Sequence, residues 1–222
     1  MRLYNFLPNK YALSNLKLNR IKVATIDDLN DPFELAAAQK PDKEMRCVFH
    51  GFKGDMHAKF GLVCFSQEWS NPVMWSHYAD KHRGICLGFD IPEKYLIKVN
   101  YADSLMTIEF DDENQENINE GFIQKLFCTK FTDWKYEKEW RMFVSLEETV
   151  SESGRYFFQF GPDMVLRDVI LGPRCTSTAN EIYGILGETE QPVSIRKSRL
   201  AFHSFKVVPN KRVPVKSTPR IT

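Results

Sequence analysis

Residues 134–144 read Trp134-Lys135-Tyr136-Glu137-Lys138-Glu139-Trp140-Arg141-Met142-Phe143-Val144, with charges and aromatics packed into a run that alternates like a strand. With a two-residue period, Trp140, Met142, Val144 and Leu146 share one face, while Glu137, Glu139 and Arg141 share the other. Carboxylates two residues apart on a strand lie about 6–7 Å from each other, near enough to share a substrate and to raise one another's pKa. The same alternation suits a solvated face or an ion-pair ladder with Arg141.

Upstream of this run, Leu3–Phe6 predicts a first strand, punctuated by Pro8 and Asn9. A helix carrying Tyr11, Leu13, Leu16 and Leu18 follows, and Ile21–Ala24 alternates like a strand. Asn30-Asp31-Pro32-Phe33-Glu34 predicts a turn, because Asn and Asp bond nearby backbone and Pro32 blocks a helix. Residues 40–60, with His50, Gly51 and Gly54, leave room for a short helix but define no firm element. Gly61–Ser66 reads as a buried strand ending in a hydroxyl. Asn71 and Pro72 suit the cap and first position of a helix that bears Trp75, Tyr78 and Ala79 until Gly84 stops it. Ile85–Asp90 is a second buried strand and Tyr95–Tyr101 a third. The acidic run Asp111–Glu120 predicts a loop or solvated helix start, leading into an amphipathic helix near Phe122, Ile123, Leu126 and Phe127.

Downstream, Arg155–Phe160 and Val165–Leu171 are strand-like and are divided by Gly161-Pro162. Thr176 or Ser177 suits the cap of a helix over Ala179–Leu186, and Val193–Val208 suggests a hairpin before a basic tail at 209–222. The expectation is an α+β chain: a strand-dominated mixed domain, single over 1–222, without the regular alternation of a doubly wound parallel sheet.

At 222 residues and 43% hydrophobic content, the chain can bury a substantial core without staples. Its 30 Lys and Arg against 29 Asp and Glu give no ground for a general polyanion binder, so nucleic acid would need a local patch. Cys47, Cys64, Cys86, Cys128 and Cys175 are odd in number and contain no Cys-x-x-Cys, which argues against a disulfide framework or structural zinc. His77 and His82 are poorly spaced for one metal, and no metal site is expected. No apolar run is long enough to span a bilayer, and Met1-Arg2-Leu3-Tyr4 enters folded-looking sequence without a signal peptide. A cytoplasmic location with no membrane partner is therefore expected.

Four segments far apart in the chain carry a resemblance. Asn30–Glu34, Cys64–Ser66, Met74–Asp80 with His82-Arg83-Gly84, and Trp134–Arg141 together resemble the bacterial domain-of-unknown-function 2971 family. That resemblance covers most of the chain and implies no activity. More distantly, an early strand with Arg2 or Tyr4, a strand ending in Ser66, an aromatic helix and a late Glu-x-Glu resemble the ADP-ribosyltransferase superfamily. This second resemblance implies two small sheets forming a cleft, flanked by helices, for NAD as a substrate. It also implies that Arg2 or Tyr4 holds the phosphate or ribose side, that Ser66 supports the Glu strand, that Glu139 is the catalytic acid and that Glu137 orients the acceptor.

Carboxylates suit that chemistry, since cleavage of the nicotinamide–ribose bond develops oxocarbenium-like charge that a fixed anion stabilises. Trp75 or Tyr78 would stack on nicotinamide and Arg83 would grip a pyrophosphate bidentately, with His77 and Arg141 completing the cofactor-binding set. Aromatics at helical spacing such as Trp75 and Tyr78 are more often core packing than a cofactor wall, and a strand end accounts for Ser66. The expected function is thus an ADP-ribosyltransferase or NAD glycohydrolase. It takes a nucleotide, with a protein or nucleic-acid acceptor, and the resemblance extends to roles in phage defence. The alternative is a non-catalytic nucleotide- or protein-binding module using the same cleft. A metal-dependent nuclease fits less well, because Asp31, Glu34 and Glu137 lack a metal-binding spacing.

Overall fold

A computed structural model describes residues 1–29, 31, 33, 38–39, 43–107 and 125–221. Its strands are β1 (Arg2–Leu7), β2 (Arg20–Val23), β3 (Phe60–Ser66), β4 (Ile85–Asp90), β5 (Ile97–Lys98), β6 (Asn100–Ala102), β7 (Thr129–Phe131), β8 (Glu139–Ser145), β9 (Val150–Glu152), β10 (Arg155–Gln159), β11 (Val165–Leu171), β12 (Ser194–Leu200), β13 (Val207–Pro209) and β14 (Lys216–Ser217). The helices are α1 (Asn9–Leu18), α2 (Lys43–Lys59), α3 (Pro72–His77) and α4 (Ala179–Leu186).

The continuously apolar runs lie in the middle of a nine-stranded sheet, ordered β13-β12-β11-β4-β1-β3-β8-β5, with β14 also on β12. The β11–β12 pairing is parallel, whereas β4, β1, β3 and β8 run antiparallel to their neighbours. Five successive residues of β4 are buried because both of its faces are covered. On one face, Leu3, Leu87 and Val169 meet Ala12 and Leu16 of α1 and Ile182 of α4. On the other, Phe6, Cys86 and Ile170 meet Met74 and Trp75 of α3. Two smaller sheets complete the α+β, strand-dominated fold: antiparallel β2-β10-β9 and parallel β6-β7. Among the described residues, no helix is long and apolar enough to cross a membrane.

Several elements differ from the sequence-based expectation. Trp134–Glu137 is not strand but the end of a 3₁₀ helix at Thr132–Glu137, and Lys138 adopts a left-handed φ of 47° before β8 starts at Glu139. Helix α3 has the expected Asn71 cap but stops at His77, well before Gly84. Beyond it, Asp80, Lys81 and His82 take positive φ. Gly84 is required for a different reason, since a Cβ there would stand 2.1 Å from the Leu7 carbonyl oxygen. Tyr95–Tyr101 is not one strand. Val99 N–H donates to Glu139 O and Asn100 N–H to Cys128 O, so the chain changes partner between β5 and β6. Thr178, rather than Thr176 or Ser177, caps α4 by accepting from Glu181 N–H. Helix α2 fills seventeen residues where only a short helix had been allowed for. Asp31 Oδ1 accepts from Phe33 N–H at 2.9 Å, as an Asx turn would, while Asn30, Pro32 and Glu34 lie outside the described residues. The Asp111–Glu120 run, Phe122 and Ile123 lie outside them too.

Candidate active site

The register of β3 against β8 sets Ser66 opposite Glu139 and Cys64 opposite Arg141. The Ser66 hydroxyl donates to the Glu137 carbonyl at 2.6 Å and accepts from Glu68 N–H at 3.2 Å, so the strand end holds the 3₁₀ turn. Asn71 strengthens the join, its Nδ2 donating to Tyr136 O at 3.0 Å. The left-handed Lys138 then reverses the backbone enough for Glu137 and Glu139 to reach one cation.

That cation is Lys130 of β7. Its Nζ donates to Glu137 Oε2 at 2.7 Å and to Glu139 Oε2 at 3.1 Å. Arg141 donates from Nε to Glu139 Oε1 at 2.8 Å and from Nη1 to Phe127 O at 2.6 Å. Tyr78 donates its hydroxyl to Glu137 Oε1, and the Tyr101 hydroxyl accepts from Glu139 N–H at 2.8 Å. All four charges are out of water: Lys130 is 5% exposed, Glu137 3%, Glu139 4% and Arg141 1%. Two cations against two anions make the quartet neutral, which is what burial at this depth requires.

The two carboxyls are driven apart. Burial raises the Glu137 carboxyl, outweighing the opposing pull of Lys130 and the Tyr78 hydroxyl. Burial also pushes on Glu139, but Arg141 and Lys130 win there and hold it at about 2. Environments that separate paired carboxyls in this way suit them to unlike roles, one a fixed anion and the other able to exchange a proton. Burial carries the neighbouring Tyr101 phenol up to about 12, leaving it a neutral hydrogen-bonding group.

A cavity of about 120 Å³ opens beside the quartet, and its walls include Tyr4, Ser66, Tyr78, Lys130, Glu137 and Glu139. Five expected site residues therefore meet there. The others do not line it. Arg2 is committed to Asp90, at 2.6 Å, and to Asp168. Trp75 is fully buried, donates Nε1 to Trp69 O at 2.6 Å and packs edge-on against Phe6, so it is core. His77 lies 3.2 Å from the Tyr136 hydroxyl, Arg83 is exposed, and Arg141 stands behind Glu139.

Lys130 was not among the expected site residues. Its signal is a lysine in the largely apolar, uninterruptedly buried run Leu126-Phe127-Cys128-Thr129-Lys130, shortly before Glu-x-Glu. Lys130 also borders a second cavity of about 360 Å³ that Phe33, Phe131 and Trp134 help to line. Among the described residues, no group of three His, Cys, Asp or Glu side chains could hold a metal ion.

Fold and site together define an α+β protein with a buried Glu–Lys–Glu–Arg quartet, three of whose members, Lys130, Glu137 and Glu139, face a cavity. The family described as "Protein of unknown function (DUF2971)" matches residues 74–142, which run from α3 to the middle of β8 and hold every member of the quartet. No curated protein and no solved structure matches the chain.

Proposed function

We propose that the protein cleaves the N-glycosidic bond of NAD, as an ADP-ribosyltransferase or NAD glycohydrolase, and that Glu137 rather than Glu139 is the carboxyl that takes up a proton. One observation carries this reading: two buried carboxyls with opposite pKa shifts share Lys130 at the wall of a cavity. A cavity of about 120 Å³ suits a single ring, and the larger one across Lys130, with its aromatic walls, would take more of a nucleotide.

Glu139, ionised and held by Arg141, supplies fixed negative charge near the oxocarbenium-like ribose. Glu137 exchanges its Tyr78 partner for the incoming water or acceptor and takes its proton as C1′ is attacked, while nicotinamide departs with the bonding pair. Its raised pKa brings it closer to the working pH of a general base.

The non-catalytic reading keeps one observation in its favour, namely that both oxygens of Glu139 are already engaged. Nicotinamide release from NAD separates the two. The enzyme reading expects turnover that Glu137→Gln lowers by about a hundredfold or more, in line with loss of a general base, while the variant stays folded. NAD binding without nicotinamide release by the parent protein would favour a nucleotide-binding module, and neither binding nor release would sink the NAD-cleaving reading.

A further inference from the structure

Charge is unevenly spread along this nearly neutral chain. Residues 191–222 contain Arg196, Lys197, Arg199, Lys206, Lys211, Arg212, Lys216 and Arg220 but none of the 29 Asp and Glu, so this segment is strongly basic and the remainder acidic. Two of these cations are spent inside the fold, Arg196 on Asp168 and Lys197 on the Cys175 carbonyl. Lys206, Lys211 and Arg212 are exposed on and after the β12–β13 hairpin.

The hairpin tip is also apolar. Phe202 is 78% exposed, Phe205 97% and Leu200 57%, an unusual concentration of bare hydrophobic surface on one short loop. The loop is nonetheless ordered by its own backbone, with Ala201 N–H donating to Lys206 O and Lys206 N–H to Ser204 O, both at 2.9 Å. Val207 N–H donates to Ser70 O at 2.8 Å, which anchors its base to the body. The Lys211–Arg212 turn follows β13 and Asn210, so it lies within about 20 Å of the Phe205 tip.

We infer that this hairpin is a docking surface for single-stranded nucleic acid, with Phe202 and Phe205 stacking on bases and Arg199, Lys206, Lys211 and Arg212 contacting phosphates. Bare aromatic rings set among cations are the pattern that unpaired strands select. Arg199 decides against a lipid surface. Its guanidinium stacks 4.4 Å from the Phe202 ring centroid, so the ring would carry a charge with it into hydrocarbon, whereas a phosphodiester strand would pair that charge.

The test is fluorescence anisotropy of the full chain with labelled 20-nucleotide poly(U) RNA and poly(dT) DNA at 50 and 200 mM salt. Vesicles containing phosphatidylserine run in parallel. Saturable binding to either oligonucleotide is expected, falling steeply with salt as displaced counterions require. It should weaken at least tenfold in the Phe202→Ala/Phe205→Ala double variant. Both rings are largely exposed, so the variant should melt like the parent. No binding at 50 mM salt, binding that the double variant leaves unchanged, or binding to vesicles but not to oligonucleotides would each overturn the inference. The nicotinamide-release assay is independent of all three.

Discussion

Glu137 and Glu139 are two residues apart and share a lysine, yet their surroundings shift their pKa values in opposite directions. Their effects on stability therefore fall in different pH windows. Glu139 is held at about 2 against an ordinary value of 4.5, so its contribution is complete above about pH 4.5 and is lost as pH falls towards 2. Glu137 is raised from 4.5, so its contribution is complete below that value and is lost as pH climbs through the higher folded value. Urea unfolding of the parent and Glu139→Gln from pH 7 down to pH 3 should show both losing stability in acid, because Asp28 and Asp90 are also held low. The parent should lose more between pH 4.5 and pH 3. Equal slopes for the two proteins would mean that Arg141 and Lys130 do not hold Glu139 ionised.

At the scale of elements, the site depends on short connections rather than on long helices. Ser66 ties the end of β3 to the 3₁₀ turn, and the segment after α3 delivers Tyr78 and then passes tightly beneath β1. Gly84 and Gly172 make that passage possible. A Cβ on Gly84 would stand 2.1 Å from Leu7 O, and one on Gly172 would stand 2.4 Å from His82 O and 2.7 Å from Gly84 O. These obstacles are backbone and cannot rotate away. Gly84→Ala should cost about 1–3 kcal/mol or more in denaturant unfolding, as overpacked interiors do. It should also slow any cavity-dependent activity by displacing Tyr78. A stability unchanged within about 0.5 kcal/mol would show that the segment has slack.

Across the whole molecule, the basic segment is not a loose appendage. Strand β14 pairs with β12 through Ser194–Ser217 and Ile195–Lys216, and Thr218, 3% exposed, accepts from Val193 N–H at 2.9 Å through its hydroxyl. Thr189 N–H donates to Pro219 O at 3.1 Å, which brings the last residues back against the chain after α4. Deleting residues 216–222 leaves the buried Val193 N–H without that partner. The expected cost is about 1–3 kcal/mol, lowering the melting temperature by roughly 2–12 °C for a chain of this size. An unchanged calorimetric melt would show that the edge strand contributes nothing to cooperativity.

Local pattern settled much of this protein. Val165–Leu171 and Ile85–Asp90 announce themselves as strands and Ala179–Leu186 as a helix, with ends that match, because apolar runs and helical spacing are written in neighbouring residues. The Glu-x-Glu pair, Ser66, Tyr4 and Tyr78 were singled out by the distant resemblance rather than by local pattern, and these five residues line one cavity. Only the tertiary structure decided their surroundings. Arg2 looked available for an anion until chain folding brought Asp90 and Asp168 to it from 88 and 166 residues away. Lys130 became the shared cation because β6 and β7 pair in parallel with Tyr101 opposite it, close to both carboxylates. A side chain's charge is fixed by its type, but its pKa and its availability to a ligand depend on burial and on distant partners. Those are properties of the packed chain, which no local stretch of sequence contains.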